Sequence, residues 1–182
     1  TDSNNGWAVG WDGYILNTTN AGENWEIQRT NSDEILSSVY FIDSNIVKYA
    51  EDHTTEEPSY LYQLNRYTHS NLLKPRMLSG HLQGRFLALM SQLIKPDYIL
   101  DIGTYTGYSA LCLAEGLTAN GHLYTIDRND EAIAVAQDFF SKANLSNKIT
   151  ALHGNAIELI EQLNTKVPYW NIVWMDAEKA DY

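Results

Sequence analysis

Beyond residue 95 the chain alternates short apolar runs with longer segments of helical periodicity. The runs are five or six residues long and are typical of buried strands. They cover residues 98–102, 122–127, 149–153 and 171–175, and the periodic segments between them cover residues 109–117, 130–143 and 156–163. Strands that alternate with helices of this length form right-handed βαβ crossovers. The pattern therefore predicts the α/β class with a parallel sheet, in which we expect the strand order 3-2-1-4 and helices on both faces.

Two more helices are predicted before the first of these strands. One covers residues 58–71, and the other covers residues 79–95, with Ser79 as its N-cap and Pro96 as its stop. The positions that recur at helical spacing are Leu61, Leu64 and Thr68 in the first helix and Leu82, Phe86, Leu89 and Leu93 in the second. We expect the second helix to pack on the sheet.

The first 45 residues have a different pattern, with short β-type runs separated by Gly, Asn and Thr. They predict an antiparallel β-meander in which Asp12-Gly13 is a hairpin turn signal. The predicted strands cover residues 7–10, 14–19, 25–28 and 38–42. The tripeptide Asp-Ser-Asn at residues 2–4 recurs at residues 43–45. Four short strands in about 40–45 residues match the period of a propeller blade.

The string G-W-A-V-G-W-D-G-Y-I-L-N-T-T-N-A-G-E-N-W resembles the repeats of photosystem II assembly-factor-like (BNR-type) propellers. The resemblance implies a blade-like β-repeat over residues 1–45, followed by a different domain over residues 46–182. A blade is stabilised by its neighbours, so a lone one cannot bury its faces. We therefore expect a natural fusion or a sequence-assembly junction near residue 45. An unrelated small hairpin is the alternative.

Composition excludes several classes of function. The chain has 12 Lys and Arg against 23 Asp and Glu, a net charge of -11. Such a chain repels phosphate backbones, so nucleic acid and anionic membranes are poor partners. The apolar runs are too short to span a bilayer. The single cysteine, Cys112, excludes an internal disulfide and a cysteine zinc cluster, and its apolar neighbours predict a buried side chain.

The turn after the first predicted strand of the sheet points to a ligand. It reads D-I-G-T-Y-T-G-Y-S from Asp101 to Ser109, which differs from the dinucleotide pattern G-x-G-x-x-G. This disfavours an NAD-dependent oxidoreductase. An acidic residue before the first glycine repels phosphate and favours a cation or a neutral polar group. Asp127 ends the next strand, where a carboxylate can accept two ribose hydroxyls. A ligand with a ribose, a positive centre and no phosphate fits both observations, as S-adenosylmethionine (SAM) does.

Four segments resemble class I SAM-dependent O-methyltransferases of the caffeoyl-CoA and catechol type. They are D-I-G-T-Y-T-G-Y-S, T-I-D-R, M-L-S-G-H-L-Q-G and D-A-E-K-A-D-Y, in a stretch from about Tyr49 to Tyr182. The resemblance implies a Rossmann-like fold and methyl transfer from SAM to a hydroxyl of a small molecule. It also implies help from a divalent cation, Mg²⁺ above all.

The resemblance assigns a role to each candidate site residue. Asp101, Gly103, Tyr105 and Ser109 would hold the methionine part of SAM, Asp127 its ribose, and Gly154, Asn155 and Ala156 its adenine; Met77 and Ser79 would line the methyl-transfer site, Asp176 would bind the metal, and Lys179 would be the base. Three of these roles have open alternatives. Asn155 can be only an N-cap, Asp176 an unmetallated carboxylate, and Lys179 a solvated surface lysine.

The family continues past the point that corresponds to Tyr182, with further strands that supply an Asp-Asn pair of metal ligands and much of the acceptor pocket. We therefore expect a nearly complete SAM site beside an incomplete metal and acceptor site. The alternative function is a SAM-binding or interaction fragment without turnover. The last strand would be an exposed edge, which favours association. We expect a cytoplasmic protein and allow for a homodimer.

Overall fold

The computed structural model describes residues 6–9, 14–29 and 49–177. The chain divides into two compact units, Thr1–Asp52 and His53–Tyr182. The boundary that the sequence predicts near residue 45 lies outside the described residues. Within the described ranges, no helix has both the length and the apolar character that a membrane crossing requires.

The first unit contains an antiparallel sheet in the order β1-β2-β3. Its strands are β1 (Gly6–Val9), β2 (Tyr14–Thr18) and β3 (Glu26–Arg29). Polar side chains close the turn after β2, where the backbone N–H of Gly22 donates to Oγ1 of Thr18 at 3.0 Å. These strands match three of those predicted. The predicted fourth strand, the Asp12-Gly13 turn and both Asp-Ser-Asn tripeptides lie outside the described residues.

The second unit is an α/β fold built on a four-stranded parallel sheet. Its helices are α1 (Ser59–Asn71), α2 (Gly80–Ile94), α3 (Tyr108–Ala114), α4 (Asp130–Lys142) and α5 (Ala156–Asn164). Its strands are β4 (Tyr98–Ile102), β5 (His122–Asp127), β6 (Ile149–His153) and β7 (Ile172–Met175). The spatial order β6-β5-β4-β7 is the predicted order 3-2-1-4. The fold class is confirmed.

The core lies between the sheet and the helices α3 and α4, and α1 packs on both of these helices. α2 packs on α3 and not, as we expected, on the sheet itself. Every residue of α3 is buried, including Cys112, as its apolar surroundings predict. The buried face of α1 consists of Leu61, Leu64 and Thr68, which confirms the predicted periodicity. A smaller apolar cluster under α5 includes Leu100 and Leu163.

The buried face of α2 differs from the one that the sequence predicts. Its buried residues are Gly84, Leu87, Ala88 and Ser91, whereas the predicted position Phe86 is 56% exposed and Leu93 is 71% exposed. The cause is a close approach to α3. A Cβ on Gly84 would lie 2.6 Å from the Tyr108 ring and 2.8 Å from Sγ of Cys112. The face with small residues therefore packs, and the bulkier apolar face is left exposed.

Ser79 does not cap α2 as predicted. It has helical backbone angles, and its side chain makes no capping hydrogen bond. The chain enters the helix from a 3₁₀ turn at Pro75–Met77, and Gly80 has a φ of +77°. A capping residue normally has extended backbone angles, so the helical angles of Ser79 account for the missing cap.

Candidate functional site

A cleft of about 670 Å³ opens at the carboxyl ends of the parallel strands. Its volume suits a small ligand, and this edge is where open α/β sheets bind their ligands. The walls come from the segment before α2, the turn after β4, the start of α4, the end of β6 and the residues after β7. Among the predicted site residues, those that line it are Met77, Ser79, Gly103, Tyr105, Ser109, Asp127, Gly154, Ala156 and Asp176.

Glycine is required in the turn after β4 because neighbouring segments approach closely. Gly103 has a φ of +106°, and a Cβ there would lie 2.4 Å from the carbonyl oxygen of Asp176. Gly107 has a φ of +89°, and a Cβ there would lie 2.6 Å from the Phe140 ring. Both positions combine a backbone conformation that favours glycine with a lack of space for a side chain. The glycines hold the turn against the end of β7 and against α4.

The hydroxyl groups of this turn each bond to a different part of the unit. The pairs are Thr104 with Thr125 at 2.6 Å, Tyr105 with the Lys74 carbonyl at 3.1 Å, Thr106 with Thr68 at 3.1 Å, Tyr108 with the Glu57 carboxylate, and Ser109 with Asp101 at 3.3 and 3.4 Å. The partners lie on β5, on the segment before α2, on α1, ahead of α1 and on β4. The turn is therefore fixed from several directions at once.

Asp127 is held in place by two backbone amides. Tyr105 N–H donates to its Oδ2 at 2.6 Å, and Asn129 N–H donates to its Oδ1 at 2.9 Å. The side chain is half-buried at the end of β5 and lines the cleft. Each carboxylate oxygen has two lone pairs, so both can still accept a hydrogen bond from a ligand. This geometry suits the ribose role that the sequence predicts.

Asp101 lies beneath the cleft and does not line it. Its side chain is fully buried, and burial raises its pKa to about 7, partly opposed by hydrogen bonds from Thr125 and Ser109. The nearby charges of Asp176 and Asp127 raise the pKa further. Ser109 lines the cleft and donates to Asp101, so it connects this carboxylate to the ligand space. The predicted direct contact between Asp101 and the methionine part stays a prediction.

The structure supports the alternative role of Asn155. Its side chain caps α5, accepting from Ile157 N–H at 2.9 Å and Glu158 N–H at 3.4 Å. It does not line the cleft, whereas its neighbours Gly154 and Ala156 do. Its adenine contact stays a prediction. Lys179, the predicted base, lies outside the described residues.

Asp176 presents an exposed carboxylate at the cleft, directly after β7. Its backbone N–H donates to the Ile102 carbonyl at 2.9 Å, which fixes the position of its backbone. Among the described residues, no group of three His, Cys, Asp or Glu side chains could hold a metal ion. Mg²⁺ is commonly held by one or two carboxylates and several waters. The described part of the site thus fits a divalent cation only in part, through one carboxylate.

Sequence reasoning missed two stretches of the cleft wall. One is the segment from Asn71 to Lys74, and the other runs from Arg128 to Glu131. The second stretch follows directly on Asp127, so its place after a strand end was a usable signal. The first lies between two predicted helices and carries no pattern that marks it as a ligand wall.

The chain is similar to several known proteins. The model of a family described as O-methyltransferase matches residues 51–182. The chain is 30% identical over 140 residues to the O-methyltransferase ankF of Aspergillus thermomutatus, covering 76% of this chain and 58% of the relative. It is 29% identical over 152 residues to a catechol O-methyltransferase of Niastella koreensis, covering 83% of this chain and 65% of the relative.

A solved structure has the same fold. The SAH-bound methyltransferase PaMTH1 of Podospora anserina has a TM-score of 0.69 and 25% identity, covering 81% of this chain and 64% of that protein. The chain thus spans less than two thirds of the length of each of these relatives.

Proposed function

Because the chain belongs to the O-methyltransferase family, we propose that it transfers the methyl group of SAM to a hydroxyl of a small molecule. The observation that carries the proposal is the meeting of the glycine turn and Asp127 at one cleft, on the edge of the sheet where such ligands bind. The SAH-bound relative with the same fold supports the choice of ligand.

The charges of the cleft support a cationic ligand. Asp127 and Asp176 line it with their carboxyl groups. SAM carries an electrophilic methyl group on a positively charged sulfur and has no phosphate. Carboxylates close to that charge stabilise the bound ligand, whereas they would repel a pyrophosphate. We therefore propose that Ser109 and the turn at Gly103 hold the methionine part, with Asp127 on the ribose.

On the acceptor side, Met77 and Ser79 form part of the wall. We propose that they orient the acceptor hydroxyl toward the methyl group, since alignment of the reacting atoms is a large share of such catalysis. Lys179 remains the proposed base. The acceptor is a small molecule with a hydroxyl group, as the name of the catechol O-methyltransferase relative suggests.

We also propose that Asp176 is one ligand of a divalent cation, with Mg²⁺ as the first choice. Its exposed carboxylate at the cleft supports this role. Such an ion would lower the pKa of a bound hydroxyl. No part of the proposed SAM binding depends on the ion, so the two can be tested separately.

Calorimetric titration with S-adenosylhomocysteine (SAH), with and without Mg²⁺, tests the proposal. The chain is expected to bind SAH, and Asp127→Asn is expected to weaken binding at least about tenfold by removing a charged acceptor of ribose hydroxyls. Asp138→Asn is the matched control, because Asp138 is an exposed residue paired with Lys142 on α4. Absence of SAH binding to the wild-type chain would overturn the proposal.

A methyl-transfer assay with SAM and catechol separates the enzyme from the alternative function. Turnover that depends on Mg²⁺ supports the metal-assisted enzyme. SAH binding without methylation of catechol or of a caffeoyl-CoA acceptor would instead favour SAM binding without turnover.

Three further parts of the proposal rest on sequence. We propose a blade-like repeat over residues 1–45, a homodimer and a cytoplasmic location. The antiparallel β1-β2-β3 sheet is compatible with the blade-like repeat. The homodimer is supported by β7, which is an edge strand of the described parallel sheet and on which Val173 and Met175 are half exposed.

A further inference from the structure

Tyr105 has an unusual backbone conformation at the cleft. Its φ is +45°, in the left-handed region that residues other than glycine seldom adopt. Such a conformation persists only where the surrounding structure holds it, and it is concentrated at functional sites. Tyr105 is half-buried and lines the cleft.

Two hydrogen bonds join Tyr105 to different walls of the cleft. Its backbone N–H donates to Oδ2 of Asp127 at 2.6 Å, on the wall at the end of β5. Its hydroxyl donates to the carbonyl oxygen of Lys74 at 3.1 Å, on the segment between α1 and α2. The left-handed backbone allows one residue to reach both partners.

The Lys74 carbonyl is also where the 3₁₀ turn at Pro75–Met77 begins. It accepts a second hydrogen bond, from Met77 N–H at 3.0 Å. The Tyr105 hydroxyl therefore fixes the base of the turn that carries Met77. Next to this anchor Leu73 is fully exposed and Met77 is 44% exposed, whereas Leu78 at the end of the segment packs against the core.

We propose that Tyr105 is a positioning residue that ties the segment from Leu72 to Ser79 to the Asp127 wall and thereby slows the release of bound cofactor. The proposal rests on the proposed SAM site. It gives Tyr105 a different role from the direct methionine contact that the sequence predicts. The segment can move away from the cleft only when the hydrogen bond between the Tyr105 hydroxyl and the Lys74 carbonyl breaks. Loss of this bond leaves the hydrogen bond from Tyr105 N–H to Asp127 in place.

The test is Tyr105→Phe, which keeps the ring and removes only the hydroxyl. SAH release, followed by surface plasmon resonance, is expected to accelerate about three- to tenfold, the range for loss of one ordinary hydrogen bond. The association rate and the thermal midpoint are expected to stay near the wild-type values. Tyr62→Phe is the matched control, because Tyr62 is an exposed tyrosine of α1 outside the cleft wall.

Limited trypsin digestion gives a readout that needs no ligand. Arg76 is exposed and lies within the segment, so cleavage after it reports the detachment of the segment. In Tyr105→Phe, cleavage after Arg76 is expected to rise several-fold relative to cleavage after Lys166, and Tyr62→Phe is expected to behave like the wild type. A general loss of stability would raise cleavage at both positions and lower the thermal midpoint, which would overturn the positioning role.

The two proposals fail in different ways. Wild-type protein that does not bind SAH would contradict the proposed function and with it the effect on cofactor release, whereas the digestion result would still decide whether Tyr105 ties the segment to the Asp127 wall. Wild-type binding of SAH, with equal release rates and equal Arg76 cleavage in Tyr105→Phe, would contradict the role of Tyr105 alone.

Discussion

Ser109 Oγ lies 3.3 and 3.4 Å from the two carboxylate oxygens of Asp101, and it joins the surface of the cleft to a fully buried acid. Thr125 donates to the same carboxylate at 2.7 Å. These two hydroxyls are the hydrogen-bonding environment of an acid whose pKa is about 7 because it is buried. The stability of the unit should therefore depend on pH in a range where most carboxylates no longer titrate.

The sign of this dependence follows from the raised pKa of Asp101. The folded state holds the proton up to about pH 7, whereas the unfolded chain releases it near its ordinary pKa of 3.8. The contribution of Asp101 to the free energy of unfolding is therefore greatest at low pH and is lost as the pH rises from about 4 to about 7. We expect Asp101→Asn to remove this pH-dependent contribution, which amounts to at most about a few kcal/mol of the free energy of unfolding.

Urea denaturation at several pH values between 5 and 8 measures this effect. Asp138→Asn, at an exposed position of α4, is the control and should run parallel to the wild type. If Asp101→Asn also runs parallel to the wild type, the buried carboxyl does not titrate in this range.

Gly103→Ala should destabilise the second unit more than Gly80→Ala does. Both glycines have a positive φ, +106° and +77°, but a Cβ on Gly80 would meet nothing within 4 Å. A Cβ on Gly103 would collide with the Asp176 carbonyl, so a steric cost of about 1–3 kcal/mol adds to the backbone strain. Chemical denaturation measures both variants. Equal losses of stability in the two variants would mean that the turn after β4 can move away from the end of β7 without a free-energy cost.

Leu87→Ala should cost far more stability than Leu93→Ala. Leu87 is 2% exposed and lies in the core, whereas Leu93 is 71% exposed on the other face of α2. Truncation of a buried leucine costs about 2–5 kcal/mol, and a surface change usually costs less than about 0.5 kcal/mol. The free energies of unfolding of the two variants decide the orientation of α2. A larger loss of stability in Leu93→Ala than in Leu87→Ala would mean that α2 buries the face that the sequence predicts.

Asn155→Ala separates the two roles considered for this residue. Loss of the α5 cap should lower the free energy of unfolding by about 1 kcal/mol. Asn155→Ser keeps an acceptor for the cap and should retain most of the stability. SAH affinity, measured by calorimetry, should be unchanged in both variants because Asn155 does not line the cleft. A marked drop in affinity for Asn155→Ser would indicate contact with adenine instead.

The sequence alone determined the strands and helices of the second unit. The predicted bounds of β4, β5 and β6 agree with the structure residue for residue. An apolar run between polar turns is a local pattern, and the handedness of βαβ crossovers limits how consecutive strands can be ordered. The same reasoning placed the glycine turn and Asp127 at one edge of the sheet, because the carboxyl ends of parallel strands meet there.

The tertiary structure alone decided which face of α2 is buried. The helix is largely apolar, so periodicity offers two faces, and the fit of Gly84 against Tyr108 and Cys112 selects one. It also distinguished Asp101 from Asp127, which the sequence places alike near strand ends. Asp101 lies inside β4 and points into the core, whereas Asp127 is the last residue of β5 and reaches the cleft. Burial and close approach depend on neighbours that are distant along the chain, and a local sequence pattern does not predict which residues these neighbours are.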